Sequence, residues 1–271
     1  MNKLLTTFFL LCLLISCTEE PAKETNLVKS GNTVPEINYT VVNTFPHDTL
    51  SFTEGFLFNE GQLVESTGSP DNLPYTKSVF GRVDLKTGKI DKKAELDRKI
   101  YFGEGIVFLK NKIYQLTYKN QIGFIYDAKT VKKIGQFTYT NKEGWGLTTD
   151  GTNIIMSDGT NNLTYLDPNT LNVIKTLSVS ENGFAEDYLN ELEYIKGFIF
   201  ANVWTTNKIV KIDPVSGKIV GKLDFISLIH EVKNKYPNAT ELNGIAFDSI
   251  SNKIYITGKL WPNIYEINFP H

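Results

Sequence analysis

The sequence predicts an all-β fold, a five-bladed β-propeller whose ring is closed by an N-terminal strand and interrupted by one short helical insertion. This prediction rests on two patterns. One is a turn that begins with an Asp and repeats along the chain, and the other is a set of strand–turn–strand segments that alternate with these turns. The chain has 271 residues, of which 41% are hydrophobic and 12% aromatic. This is enough apolar material for one sizeable core, and the aromatic content favours strands.

The repeat is marked by an aliphatic or aromatic residue, an Asp and a tight turn. It recurs roughly 40 to 46 residues apart, at Asp84, Asp127, Asp167 and Asp213. Interleaved with it are five segments of alternating apolar residues around a polar turn: FTEGFLFNEGQLVEST, GEGIVFLKNKIYQLTY, GWGLTTDGTNIIMSDG, NELEYIKGFIFANVW and NGIAFDSISNKIYITGK. A period of this length with four short strands is typical of a propeller blade, whereas a β-sandwich does not predict regularly spaced Asp turns.

The ends of the repeat indicate how the ring closes. The fifth unit supplies only three strands and ends near Phe269, whereas residues 37–45 form a strand that no unit claims. We expect this strand to become the outer strand of the last blade, because the pairing removes two open sheet edges. Residues 225–240 interrupt the period with aliphatic residues at helical spacing and predict a short helix on one face of the ring.

The first residues predict an export signal. A positively charged start is followed by the apolar run Leu4–Ile15, and the sequence LISC that ends at Cys17 resembles a bacterial lipobox. The prediction is therefore an exported protein, lipid-anchored through Cys17 to the periplasmic or cell-surface face of a bacterial membrane. An ordinary signal peptide with an incidental cysteine is the alternative. The expected organisation is a signal peptide over 1–16, a lipidated cysteine and flexible tether over 17–35, and the propeller over 36–271.

Composition excludes several classes of function. The net charge of −2 provides no basic surface for nucleic acid. The two cysteines, Cys12 and Cys17, both lie near the N-terminus, so the body has neither a disulfide framework nor a cysteine zinc site. The three histidines, at positions 47, 230 and 271, are too scattered to suggest a metal site or a catalytic triad. We expect that the protein requires no cofactor. A structural cation bound by backbone carbonyls in the central channel stays an open alternative. Nothing favours an oligomer, and a monomer is expected.

Candidate site residues lie where each strand–turn–strand segment begins. The polar ones recur at equivalent places and comprise Glu54, Glu104, Glu143, Asn190 with Glu191, and Asn243. Propeller symmetry would bring them together around one axis. Aromatic residues cluster at matching points, namely Phe52, Phe102, Tyr118, Trp145, Trp204 and Trp261. For Trp261 we favour packing between blades, whereas packing and substrate contact are both open for Trp145 and Trp204.

The segments in their order resemble the plant-type and bacterial glutaminyl-peptide cyclotransferases. The resemblance covers nearly the whole predicted propeller and rests on FTEGFLF, VESTG, YFGEGIVFL, IYQLTYK, EGWGLTTDG, MSDGT, LNELEYIKG, ANVWTTNKIVKIDP, LNGIAFD and TGKLWPNIYEI. It implies a five-bladed propeller that converts the N-terminal glutamine of a peptide into pyroglutamate and releases ammonia.

The resemblance also implies which residues form the site. The catalytic positions fall on Glu104, Asn190 and Lys259, and the substrate-binding positions on Phe52, Glu54, Phe102, Tyr118, Trp145 and Trp204. Two of these depart from the family pattern. Glu54 stands where the family usually has Gln, which adds a carboxylate, and Tyr118 stands where it usually has Trp, which keeps a stacking face.

A mechanism follows as a hypothesis. Glu104 accepts a proton from the α-amine and returns one to the leaving nitrogen, while Lys259 and Asn190 hold the γ-carbonyl oxygen or the peptide backbone. Two other functions remain open at this stage. One is a lipid-anchored propeller that only binds. The other is a calcium-dependent, lactonase-like propeller with Glu54, Asn190 and Asn243 among its metal ligands.

Overall fold

The computed structural model of the protein describes residues 33–271; the predicted signal peptide, Cys17 and most of the tether lie outside them. Within the described part, five four-stranded antiparallel sheets form the blades of a propeller. The inner strands of successive blades contact one another in a closed cycle. The predicted five-bladed β-propeller is confirmed.

Each blade contributes one strand to each of four concentric positions. The inner strands are β2 (Phe52–Asn59), β6 (Gly103–Leu109), β10 (Leu147–Thr149), β16 (Leu189–Ile195) and β20 (Leu242–Asp248). The second strands are β3 (Gln62–Gly68), β7 (Lys112–Thr117), β11 (Ile154–Met156), β17 (Phe198–Val203) and β21 (Lys253–Gly258). The third strands are β4 (Val79–Val83), β8 (Ile122–Asp127), β12 (Asn162–Leu166), β18 (Lys208–Ile212) and β22 (Asn263–Asn268). The outer strands are β5 (Ile90–Glu95), β9 (Lys133–Thr138), β13 (Val173–Ser178), β19 (Ile219–Asp224) and β1 (Thr40–Pro46).

The last blade is closed by the N-terminal strand, as predicted. Strand β1 pairs antiparallel with β22, with Thr40 opposite Asn268 and Pro46 opposite Asn263. The register shifts once, between Val41 and Asn43. Because β1 precedes the first blade along the chain, this pairing joins the two ends of the described chain and leaves blade 5 without an unpaired outer edge on β22.

The repeated Asp residues form the turns between third and outer strands. In blade 1, Asp84 Oδ1 accepts the backbone N–H of Lys86 at 2.9 Å, and the same two-residue pattern holds at Asp213 with Val215, also at 2.9 Å. These hydrogen bonds stabilise the carboxylate and lower the pKa of both aspartates. Blade 5 lacks this turn because its outer strand arrives from the N-terminus rather than through a connection from β22.

The helical insertion is α1 (Ile226–Lys235), which lies between blades 4 and 5. Its apolar face buries Leu228, Ile229 and Val232 in the largest core cluster. Ile226, the first residue of the helix, is more than one third exposed and lies outside this buried face. No helix of the described residues is long and apolar enough to cross a membrane.

A small hairpin that the sequence did not predict lies between blades 3 and 4. It consists of β14 (Ser180–Glu181) and β15 (Phe184–Ala185), joined by a two-residue turn with positive φ at Asn182 and Gly183. Ser180 donates its backbone N–H to the carbonyl of Gly217 at 3.0 Å, so the hairpin is attached to a turn of blade 4.

Close packing around the axis explains a bulge that interrupts the inner strands of four blades, those of β2, β6, β16 and β20. A Cβ at Gly105, in one such bulge, would lie 2.5 Å from the backbone nitrogen of Leu147, so neighbouring backbones leave no room for a side chain. Blade 4 carries Glu191 at the matching place. Its carboxylate crosses the axis and accepts backbone N–H groups from Phe56 at 3.1 Å and Ile245 at 2.8 Å.

Candidate active site

The connections that lead into the inner strands and those that leave the second strands meet at one end of the propeller. One residue per blade lies directly before the glycine or glutamate of the inner strand; these equivalent residues are Glu54, Glu104, Trp145, Asn190 and Asn243. Tyr118, Trp204 and Lys259 directly follow the ends of β7, β17 and β21. Because all these positions lie at the same end of their sheets, the fold gathers them around the axis.

A buried ion pair forms one side of the site. Lys259 Nζ donates to Glu54 Oε1 at 2.6 Å, and both side chains are buried. Asn243 Nδ2 donates to Glu54 Oε2 at 3.1 Å and to the Thr53 carbonyl at 2.9 Å. Lys259 Nζ also lies 4.6 Å from the centre of the Phe52 ring. Glu54 and Lys259 are therefore held at fixed positions by each other and by their neighbours.

Glu104 is the second buried carboxyl of the site, and it is unpaired. The side chain is 4% exposed and has no hydrogen-bond or ion-pair partner within residues 33–271. Burial raises the pKa of Glu104 well above its ordinary value; the negative charges of Glu54 and Glu143 raise it further, and Lys259 partly opposes them. A carboxyl with a raised pKa is suited to accept and return a proton near neutral pH.

The pKa of Glu54 is also raised, but the positive charge of Lys259 limits the shift. Burial raises the pKa of Glu54 to about 7, while the nearby charge of Lys259 lowers it and that of Glu241 raises it. The site thus holds two carboxyls in different environments, one paired with a cation and one free. Because of this difference in environment, the two carboxyls gain and lose their protons at different pH values.

One aromatic row lines the site beside the carboxyls. The rings of Phe52 and Phe102 meet edge to face with centroids 6.1 Å apart, and the Phe102 and Tyr118 centroids are 5.7 Å apart. Burial, with Glu143 and Glu104 nearby, raises the pKa of Tyr118 to about 12, so its phenol keeps its proton at neutral pH.

A second aromatic row comes from blades 3 and 4. Trp145 and Trp204 meet edge to face with centroids 5.5 Å apart, and Trp204 lies 6.0 Å from Tyr188. Trp145 Nε1 donates to Glu143 Oε2 at 2.9 Å, which fixes the indole. Lys119 Nζ lies 3.8 Å from the other oxygen of Glu143.

Two buried amide groups have acceptors without partners. The Oδ1 atoms of Asn190 and Asn243 are buried and accept no hydrogen bond from the described residues. A buried acceptor without a donor costs free energy, so each is a place where a ligand N–H would be stabilised. Within residues 33–271 the Asn190 side chain makes no hydrogen bond, whereas the Asn243 amide nitrogen donates to Glu54.

The structure brings the expected site residues to one end of the propeller. Lys259 contacts both Glu54 and Phe52, and Phe102, Tyr118, Trp145 and Trp204 form the two rows. Trp261 is fully buried in the core of blade 5, in line with the packing role favoured from the sequence. Among residues 33–271, no group of three or more His, Cys, Asp or Glu side chains is arranged to hold a metal ion.

Sequence reasoning missed Tyr188. The signal was available, because Tyr188 lies two residues before Asn190 just as Phe102 lies two residues before Glu104. Phe52 lies at the same distance before Glu54, but blades 3 and 5 carry Glu143 and Glu241 at this position, so the aromatic pattern is incomplete around the ring.

Comparisons with known proteins identify the family of the chain. A sequence profile described as glutamine cyclotransferase matches residues 9–269. The chain is 40% identical over 229 residues to a glutaminyl-peptide cyclotransferase of Arabidopsis thaliana, an alignment that covers 84% of this chain and 70% of the relative. It also superposes on the crystal structure of Myxococcus xanthus glutaminyl cyclase with a TM-score of 0.77 and 29% identity, covering 87% of this chain and 98% of that one. The chain belongs to the glutamine cyclotransferase family.

Proposed function

We propose that the protein is a glutaminyl-peptide cyclotransferase that converts the N-terminal glutamine of a peptide into pyroglutamate and releases ammonia, with Glu104 as the group that moves the proton. The observation that carries the assignment of Glu104 is its buried, unpaired carboxyl beside the Lys259–Glu54 ion pair. An unpaired buried carboxyl is unfavourable for folding, so its presence beside the ion pair favours a chemical role.

The reaction is an attack within one molecule. The α-nitrogen forms a bond to the γ-carbon of the glutamine side chain, and the bond from that carbon to the amide nitrogen breaks. Because nucleophile and carbonyl are already connected, the enzyme must mainly fold the side chain into a ring-closing shape and exclude water. The two aromatic rows supply walls for this, with Trp145 and Trp204 on one side and Phe102 and Tyr118 on the other.

Glu104 carries the proton between the two nitrogens. An α-amine of a peptide has a pKa of about 8 and must lose a proton before it attacks. The ammonium first releases one proton to solvent, which gives the neutral amine. A carboxylate whose pKa is raised by burial is a stronger base, so as the amine attacks, Glu104 takes a second proton from the attacking nitrogen. The resulting acid gives that proton to the leaving nitrogen, so NH₃ departs, the lactam nitrogen keeps one hydrogen and Glu104 is again a carboxylate.

Lys259 and Asn190 are the polar groups assigned to the substrate. Lys259 uses one ammonium proton on Glu54 and retains others for the γ-carbonyl oxygen, where negative charge develops. The Asn190 Oδ1 atom is a free, buried acceptor for a substrate N–H group. A single donor to a developing oxyanion lowers the activation barrier by about 3 kcal/mol.

The test of this function is ammonia release from a peptide that begins with glutamine. Purified full-length protein should convert such a peptide to a product lighter by one ammonia, as seen by mass spectrometry. In Glu104→Gln we expect turnover to fall by about 10²- to 10⁴-fold, because the amide cannot exchange the proton. The melting temperature should stay the same or rise, because a neutral amide replaces a buried unpaired carboxyl.

Glu231→Gln on the exposed face of α1 is the matched control and should keep full turnover. Near-normal activity of Glu104→Gln would contradict the assignment of the proton-transfer role. We further propose that the reaction needs no metal, so a chelator should leave the rate unchanged, and loss of activity with chelator would favour a calcium-dependent propeller. No mass loss from wild type at any pH would favour a module that only binds.

We also propose that the enzyme is exported and held on a bacterial membrane through lipid on Cys17. The support is the sequence alone, a short basic start and an apolar run that ends in LISC. In cell fractions, wild type should be found with membranes, and Cys17→Ser should move most of the protein to the soluble fraction. Wild type that remains soluble, or a variant that stays on membranes, would contradict this anchor.

A further inference from the structure

Equivalent positions in blades 1, 2 and 4 carry an aromatic residue beside the site. Phe52, Phe102 and Tyr188 each lie two residues before the polar residue of their blade that faces the axis. The backbone repeats as well: the Phe102 carbonyl accepts the Tyr118 N–H at 3.0 Å, and the Tyr188 carbonyl accepts the Trp204 N–H at 2.8 Å. Tyr188 and Trp204 are therefore the blade 4 counterpart of Phe102 and Tyr118.

Exposure increases along the second aromatic row. Trp145 is 8% exposed, Trp204 is partly buried, and Tyr188 is 51% exposed. The row thus runs from the buried site outward to solvent, with ring centroids 5.5 and 6.0 Å apart. A peptide whose first residue lies beside Glu104 must extend toward solvent, and this row offers an apolar surface that also reaches solvent.

The backbone of Tyr188 is held in an uncommon conformation. Its φ is 65°, in the left-handed region that a bulky side chain rarely adopts. Hydrogen bonds fix it there, from its N–H to the Gly159 carbonyl and from the Trp204 N–H to its own carbonyl, both at 2.8 Å. The ring gains little burial in return. A strained residue whose side chain projects at the rim of a site is a candidate for a functional contact.

We propose that Tyr188 is a specificity-determining residue that stacks against the side chain of the residue following the N-terminal glutamine, and that it favours an aromatic residue there. The assignment rests on the proposed function, because it concerns the peptide substrate of the same site. The physical basis is an offset or edge-to-face contact between two aromatic rings, with the substrate ring extending the row of Trp145 and Trp204.

The experiment compares two peptides that differ only in the second residue, Gln-Phe and Gln-Gly, on wild type, Tyr188→Phe and Tyr188→Asn. Asparagine tolerates positive φ and lacks the ring, so this variant tests the loss of the ring while the backbone conformation is kept. In Tyr188→Asn we expect kcat/KM for the Gln-Phe peptide to fall about threefold to tenfold, the range of one aromatic pair, mostly through KM. The Gln-Gly peptide should be nearly unaffected, and Tyr188→Phe should keep the wild-type ratio.

Phe184→Asn is the matched control. Phe184 is 79% exposed in the same connection between blades 3 and 4, and it has no ring neighbour among the described residues. It should leave both peptides unchanged. An unchanged ratio in Tyr188→Asn, or an equal loss for both peptides, overturns the assignment while the proposed function stands. If wild type releases no ammonia from either peptide, the proposed function fails and this assignment fails with it.

Discussion

Glu54 and Glu104 occupy equivalent positions in adjacent blades, yet their surroundings give them different chemistry. The oxygens of Glu54 are engaged with Lys259 and Asn243, whereas Glu104 has no partner in the described part of the chain. The charge of Glu54 also acts on Glu104, since it contributes to the raised pKa of that carboxyl. One carboxylate therefore adjusts the basicity of the other.

This coupling predicts the pH dependence of Glu54→Gln. The substitution removes a negative charge near Glu104 and leaves Lys259 without its anionic partner, and both changes favour the ionised form of Glu104. The pKa of Glu104 should fall. Because Glu104 must be ionised to act as a base, the acid limb of kcat/KM should shift to lower pH. The measurement is kcat/KM with a Gln-Gly peptide between pH 5 and 9.

Glu231→Gln serves again as the control and should reproduce the wild-type pH profile. The relevant charged neighbours of Glu104 are Glu54, Lys259 and Glu143. A shift of the acid limb to higher pH, or no shift at all, would mean that Glu54 does not set the basicity of Glu104.

At the scale of elements, blades 1 and 3 each help to hold the site residue of the blade that follows. Ser66 on β3 donates its hydroxyl to the Glu104 carbonyl at 2.6 Å, and Ser157, just after β11, donates to the Asn190 carbonyl at 2.6 Å. These hydrogen bonds cross between blades at the level of the site. The backbone of a catalytic position is therefore braced by the preceding blade, which limits its movement during the reaction.

His47, in the connection that follows β1, forms a buried pair with Glu65 on β3. His47 Nε2 lies 3.1 Å from both oxygens of Glu65, and its Nδ1 lies 2.8 Å from the Trp261 carbonyl. Both ring nitrogens face acceptors, so the doubly protonated imidazole fits this place. Burial lowers the pKa of His47, but the charge and hydrogen bond of Glu65 outweigh it, with smaller contributions from the Trp261 carbonyl and Asp48, and the net shift is upward.

This pair predicts how the closing segment responds to pH. A pKa raised in the folded state contributes stability that is complete below the unfolded value of about 6.5 and is lost as pH rises through the folded value. His47→Gln should therefore lower the free energy of unfolding by about 3–5 kcal/mol at pH 6, the cost of breaking a buried pair. The difference from wild type should narrow by pH 9. Urea unfolding at both pH values measures it.

The exposed His230 provides the matched control. His230→Gln should unfold like wild type at both pH values. A difference between His47→Gln and wild type that stays constant or widens with rising pH would show that the charged form of His47 does not stabilise the fold.

At the scale of the whole molecule, the propeller converts a sequence repeat into one site. Residues far apart in the chain, such as Glu54 and Lys259, meet because the first and last blades are neighbours in the ring. The Asp turns and the unclaimed N-terminal strand predicted this ring, because each depends on local turn chemistry or on strand pairing that a repeat makes visible. The hairpin of β14 and β15 was not predicted, because its strands are only two residues long and have no periodicity.

The site itself was predicted in part. Repeat equivalence pointed to Glu104, Asn190 and the aromatic positions, and their placement at one end of the ring agrees with that reasoning. The sequence could not indicate that Glu54 pairs with Lys259 while Glu104 stays free, because those contacts depend on side-chain directions across blades. Tyr188 shows the same limit, since its exposure and its contact with Trp204 follow from a backbone conformation that only hydrogen bonds to other loops maintain.

The sequence by itself determined the number of blades, the closure by an N-terminal strand and the residue types available for chemistry, because turns and strands are encoded by local patterns that recur every blade. Only the tertiary structure decided which carboxyl is paired, which amide oxygens lack a donor and how the aromatic rows are directed. The physical reason is that pKa values, hydrogen bonding and stacking depend on distances and burial between residues of different blades, and these are fixed only when the ring is closed.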